Sequence, residues 1–130
     1  MRVIEEKICR EFWNYAKNPN LSPKERKVIT LSCRDKVVCN GITVAYYLWD
    51  TCLVSFDSIN REFFFFPSSE GAKEYTTVST TTKSRLNAIF SYCFNVSFSQ
   101  KNYQLFLGNK KIDTDKKYRM IDDVNFEEIK

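Results

Sequence analysis

The side chains that most often do chemistry are scarce in this chain, and the scarcity narrows what it can do. It contains no histidine. Imidazole acid–base catalysis, Ser-His and Cys-His nucleophile pairs and histidine metal ligands are therefore all excluded. The five cysteines are Cys9, Cys33, Cys39, Cys52 and Cys93. An odd, irregularly spaced set argues against a disulfide framework and for buried, reduced thiols. Cys33 and Cys39 have no second close pair to complete a tetrahedral zinc site. Asp113 and Asp115 are not followed by the glycine and terminal glutamate of a calcium loop. No phosphate-binding glycine loop or nucleophile elbow is present, and nothing supports a paired-carboxylate site. The expectation is a protein without catalytic residues, metal or cofactor.

Binding chemistry is better represented. The net charge is only +4, but it is unevenly spread. From Tyr75 to Ile112 there is no Asp or Glu, although the chain has 16 of them. Within that run lie Lys83, Arg85, Lys101, Lys110 and Lys111. Thr80, Thr81 and Thr82 stand directly before Lys83 and Arg85, at the expected start of a helix. A helix start presents free backbone amides and partial positive charge. Hydroxyls, amides, ammonium and guanidinium would then converge in one turn, suited to a phosphate or an acidic protein patch. Lys101 at a hairpin tip, with Lys110 and Lys111, would add backbone contacts. Tyr92, Phe98, Tyr103 and Phe106 would stack on bases if exposed. The alternatives stay open at this point: a threonine that only caps, cations that are only solvated, aromatics that are only core.

The elements that must position these groups follow from periodicity. Ile4, Ile8, Phe12 and Tyr15 or Ala16 recur at helical spacing, which predicts a helix over about 3–17, stopped by Asn18-Pro19-Asn20. Ser22-Pro23-Lys24-Glu25 offers a second capping signal, followed by a stretch from Val28 that reads as a strand after one helical turn. Val37–Cys39 and Ile42–Trp49, joined at Asn40-Gly41, predict a hairpin. Thr51–Phe56 and Arg61–Phe66 are further strands around a turn at Asp57–Asn60, and Pro67–Gly71 is a loop. Phe63 to Phe66 place rings on both faces of their strand. Leu86, Ile89, Phe90, Cys93 and Phe94 predict a second helix over about 81–94, capped by Thr80, Thr81 or Thr82. Asn95–Ser99 and Tyr103–Leu107 form a closing hairpin with its turn at Gln100–Asn102. Lys117–Ile121 reads as a last strand before an acidic end that is either solvated or packed on the basic stretch. The fold class expected is α+β: one domain over 1–130, an antiparallel sheet of about five or six strands, and two helices against it.

Composition agrees with a packed domain. Hydrophobic residues make up 43% and aromatics 15%, with eleven Phe, seven Tyr, three Gly and three Pro; this is not the composition of a disordered chain. The start Met1-Arg2-Val3-Ile4-Glu5-Glu6 lacks the apolar core of a secretory leader. No apolar run approaches the roughly 20 residues that span a bilayer. A cytoplasmic protein with no membrane partner is expected.

The run Thr80-Thr81-Thr82-Lys83-Ser84-Arg85-Leu86-Asn87 resembles the helix start of an uncharacterised family of small bacteriophage domains, built as Thr-Thr-Lys-x-Arg-Leu/Ile-Asn. The resemblance covers about residues 42–107, including Thr51–Asp57 and Ser99–Leu107. The helix at the start and the tail fall outside it, and the Phe63–Phe66 run departs from the family's shorter strand. The resemblance supplies no catalytic residues. It implies a viral accessory protein in the host cytoplasm that binds and inhibits or redirects a host protein or nucleoprotein complex, as a counter-defence, CRISPR-inhibitor-like factor does. The second expectation is direct DNA or RNA binding through the basic Thr80–Lys111 segment. The third is a self-associating structural component.

Overall fold

Helix α1 (Val3–Ala16) buries Ile8, Cys9, Phe12, Tyr15 and Ala16 along one stripe, as the spacing predicts. A computed structural model describes residues 2–18, 25–67, 78–122 and 124–129. All of the Ser22–Glu25 capping signal but Glu25, most of the Pro67–Gly71 loop and Tyr75–Thr77 fall outside these. From Lys27 the chain is strand: β1 (Lys27–Thr30), β2 (Asp35–Asn40), β3 (Thr43–Leu48), β4 (Thr51–Asp57) and β5 (Glu62–Phe65). Gly41 makes the β2-β3 hairpin possible with a φ of +63°, a conformation open to glycine at no steric cost.

The chain then leaves this sheet. It forms α2 (Thr80–Phe94) and a small sheet of β6 (Phe98–Lys101), β7 (Gln104–Leu107) and β8 (Lys110–Ile112). It returns with β9 (Lys117–Met120), which pairs with β5, and ends in β10 (Phe126–Glu128). The result is a seven-stranded antiparallel sheet ordered β1-β2-β3-β4-β5-β9-β10 and a three-stranded sheet β6-β7-β8. The α+β class holds. Where one sheet of five or six strands is expected, the described residues form ten strands in two sheets; β8 and β10, three residues each, are too short to show a period-2 pattern. The acidic end is strand rather than solvated tail: Glu127 pairs with Arg119 and Glu128 with Lys116, neither of which lies in the carboxylate-free run.

One apolar cluster joins both helices and both sheets. On the main sheet it takes the face carrying Val37, Cys39, Val44, Tyr46, Val54, Phe56, Phe63 and Phe65. From the small sheet it takes Phe98, Leu105, Leu107 and Ile112. The phenylalanine run is split by strand alternation. Phe63, Phe65 and Phe66 are buried, whereas Phe64 is half-buried on the opposite face with the Lys117 ammonium 5.6 Å from its ring centre. Four cysteines are buried and Cys33 is exposed, contrary to the expectation of uniformly buried thiols; all five are free. Burial pushes the Cys9 and Cys52 thiols up to about 12 and Cys39 to about 11, which keeps them protonated and unreactive at neutral pH.

Candidate contact surface

Arg85 is not a surface cation. Its side chain is fully buried, with Nε donating to Asp35 Oδ1 at 3.0 Å and Nη1 donating to Glu5 Oε2 at 3.2 Å. Each carboxylate has further donors. The Tyr46 hydroxyl and Ser32 Oγ donate to Asp35, and Ser84 Oγ donates to Glu5. Arg34 stands 3.8 Å from Asp35 at the rim. The guanidinium therefore ties α2 to α1 and to β2. Its fork geometry suits two separate carboxylates, which a lysine head cannot serve in the same way. Leu86 is fully buried, and Asn87 Oδ1 accepts from the Phe98 amide at 3.0 Å. The Arg-Leu-Asn part of the motif thus holds the fold together and leaves the contact list.

Sequence reasoning missed this cluster, although a signal existed. Glu5 shares its helical stripe with Cys9, Phe12 and Ala16; Arg85 shares one with Ala88 and Ile89; Asp35 alternates in phase with Val37 and Cys39. Three charges, each alone on an apolar stripe, require one another, because a buried charge is tolerated only when paired.

The cluster makes stability depend on acid. Burial pushes the Asp35 carboxyl up, but hydrogen bonds from Tyr46, Ser32 and Arg85 more than offset this, and it lies below its ordinary value. In Glu5, burial is likewise outweighed by Ser84, the Arg2 amide and Arg85. A carboxylate depressed in the folded state contributes stability that is present above its unfolded pKa of about 4 and is lost as pH falls through the folded value. The urea midpoint is expected to stay level above about pH 5 and to fall steadily below about pH 4. Asp35→Asn should lower the neutral plateau and flatten the acid limb. An acid limb as steep as the wild type's would remove Asp35 from this role.

With Arg85 inside, the remaining candidates take definite places. Ser79, rather than Thr80, Thr81 or Thr82, caps α2, its Oγ accepting from the Thr82 amide at 3.2 Å. Thr80 and Lys83 are exposed, while Thr81 and Thr82 are half-buried. Thr82 borders an apolar cleft of about 330 Å³ lined by Leu48, Trp49, Leu53, Phe66 and Val78. The Val78 amide donates to the Gln100 side chain at 2.9 Å, which pins the start of α2 beside β6.

The small sheet has two distinct faces. Phe98, Leu105, Leu107 and Ile112 point into the core. Ser99, Lys101, Gln104 and Lys111 are exposed on the other side, with Phe106 half-buried among them. Register sets Phe106 directly between Ser99 on β6 and Lys111 on β8, and Gln104 beside Lys101. The hairpin turn falls at Asn102-Tyr103 rather than Gln100–Asn102, with φ of +54° and +60°, the backbone of a two-residue type I′ connection. Tyr103 is consequently 80% exposed at the tip instead of opening a strand. Lys110 goes elsewhere: its ammonium donates to the Phe126 carbonyl at 3.0 Å and lies 5.1 Å from that ring's centre.

Phe98 is core, so it also leaves the aromatic contact list, and Tyr92 is 45% exposed on α2. Among the described residues, Lys83, Lys101 and Lys111 pair with no carboxylate. The described part of the carboxylate-free run, 78–112, takes in α2 and the small sheet, both of which lie between β5 and β9 in the chain.

Against known proteins, the chain matches no family model, and no curated protein or solved structure is significantly similar to it. Among the described residues no helix is long and apolar enough to cross a membrane, and no group of three His, Cys, Asp or Glu is gathered to hold a metal.

Proposed function

We propose that this is a non-catalytic accessory protein that works by covering an anionic face of a host protein or nucleoprotein complex, in the manner of a phage-encoded inhibitor. The observation that carries this reading is that the described part of the carboxylate-free run forms α2 and the small sheet, with Lys83, Lys101 and Lys111 exposed and paired with no carboxylate among the described residues. A surface with cations and no counter-charge of its own favours a negatively charged partner and repels a positive one. Exposed Tyr103 and half-exposed Phe106 supply the rigid aromatic contact that anchors many interfaces. The phage setting rests on the resemblance of the Thr80–Asn87 run, and the host cytoplasm is the site of action that goes with it.

The test is a comparison of wild type with a Lys83→Glu/Lys101→Glu/Lys111→Glu variant as bait in host lysate, at low and high salt. All three positions are exposed, so the variant should unfold at the wild-type urea midpoint to within about 0.5 kcal/mol. Wild type is expected to retain a defined complex at low salt, and the variant to lose it. Equal retention by both baits, or no specific complex with wild type, would overturn the reading.

A further inference from the structure

We infer that the outer face of the β6-β7-β8 sheet, with the β6-β7 hairpin tip, binds single-stranded nucleic acid, with Phe106 on the face and Tyr103 at the tip as stacking platforms and Lys101 and Lys111 on the phosphates. This rests on the reading above and names the anionic component of the partner. Three observations converge on this small sheet and its hairpin tip. The first is composition: no strand or turn from Phe98 to Ile112 carries a carboxylate, so nothing on the sheet repels a polyanion. The second is placement. Phe106 stands outside the core cluster and is flanked across the strands by Ser99 and Lys111. Tyr103 stands just beyond the start of β7, at the exposed tip of the same hairpin. Lys101 and Gln104 form the pair between them.

The third is backbone conformation. Tyr103 is held at φ +60° with its ring 80% exposed. The left-handed region is uncommon for a bulky residue, and Asn or Gly would occupy it with less strain. The type I′ turn requires this conformation, and it holds the Tyr103 ring in solvent at the hairpin tip, open to a ligand.

The aromatics decide between strand types. In a duplex the base faces are stacked on each other and unavailable, so a duplex would engage the lysines alone. An unpaired strand offers each ring a base face, worth enough per ring to matter and tolerant of sequence. The lysines then track the backbone, with affinity that falls as salt rises. DNA and RNA strands share this chemistry.

The experiment uses the full chain and fluorescently labelled oligothymidine, oligouridine and a mixed-sequence duplex, titrated across a salt series by anisotropy. Either single strand is expected to bind more tightly than the duplex. Lys101→Ala/Lys111→Ala should lower the slope of log affinity against log salt by about 1.4, roughly 0.7 per phosphate on a single strand. Phe106→Ala should weaken binding about tenfold and Phe106→Tyr should restore it.

Tyr103→Asn separates binding from folding. It should leave the urea midpoint level or higher, because Asn tolerates the left-handed turn, and still weaken binding about tenfold. Absence of binding at low salt overturns the inference. So does equal affinity for duplex and single strand that the Tyr103 and Phe106 variants leave unchanged. If the strands fail to bind while the lysine-dependent complex from lysate persists with Tyr103→Asn, the inference falls and the proposed function stands.

Discussion

Replacing Arg85 with methionine is expected to cost about 3–5 kcal/mol of folding stability, because it strands two buried carboxylates without their counter-charge. Domains of this kind hold roughly 5–15 kcal/mol in total, so the loss should move the urea midpoint by a large fraction of its value. The signature lies in the comparison. Breaking a buried ion network from one side is strongly destabilising, whereas replacing all its charges together is far milder. A Glu5→Gln/Asp35→Asn/Arg85→Met variant should therefore be more stable than Arg85→Met alone, despite carrying two more changes. Arg85→Lys should behave much like the methionine variant, since its single ammonium cannot reproduce the Nε contact to Asp35 and the Nη1 contact to Glu5. If Arg85→Met leaves the midpoint within about 0.5 kcal/mol of wild type, the cluster is not what joins α2 to the rest of the core.

The second large effect separates neighbours in the phenylalanine run. Phe63→Ala should cost about 3–5 kcal/mol. Its ring stacks on Tyr118 at 5.6 Å between centres and meets Phe65, Phe90 and Phe126 edge-on, so its loss opens a void where β5, β9, β10 and α2 come together. Phe64→Ala should cost about 1 kcal/mol or less, because it gives up only cross-strand contact with Ser55 and Lys117 on the far face. Urea unfolding of the two variants side by side reads the difference directly. Similar losses from both would mean that the far face of the sheet is covered as completely as the core face.

These two results sit on opposite sides of what could be read in advance. The helices were legible because their apolar stripes run four turns or so, and tertiary packing followed the stripe. The hairpins at Gly41 and around Asn102 were legible because turn chemistry is local. The helix cap is Ser79 rather than Thr80, Thr81 or Thr82, since neighbouring hydroxyls are equivalent until the backbone selects one. The small strands β8 and β10 were not legible, because three residues carry no period and exist only through the partners they pair with.

The contact surface divides in the same way. Composition alone locates a segment without carboxylates, and the fold turns it into an excursion from the main sheet, with its own cationic face. Composition could not tell which of its cations face water. Lys83, Lys101, Lys110 and Lys111 do, although Lys110 also leans on Phe126, whereas Arg85 is fully buried.

By itself the sequence determined the α+β class, the helix positions, the absence of any histidine-based chemistry and the uneven charge from Tyr75 to Ile112. Those properties depend on residue type and on spacing within a few turns, which the chain carries wherever it folds. Only the tertiary structure decided that Arg85 belongs to Asp35 and Glu5, 50 and 80 residues away. It alone set Phe106, Lys101 and Lys111 on one face and left Tyr103 exposed at the tip of the same hairpin. Both outcomes are matters of long-range register and burial. A charge is driven inside only when its partners arrive there too, and no local pattern records that they will.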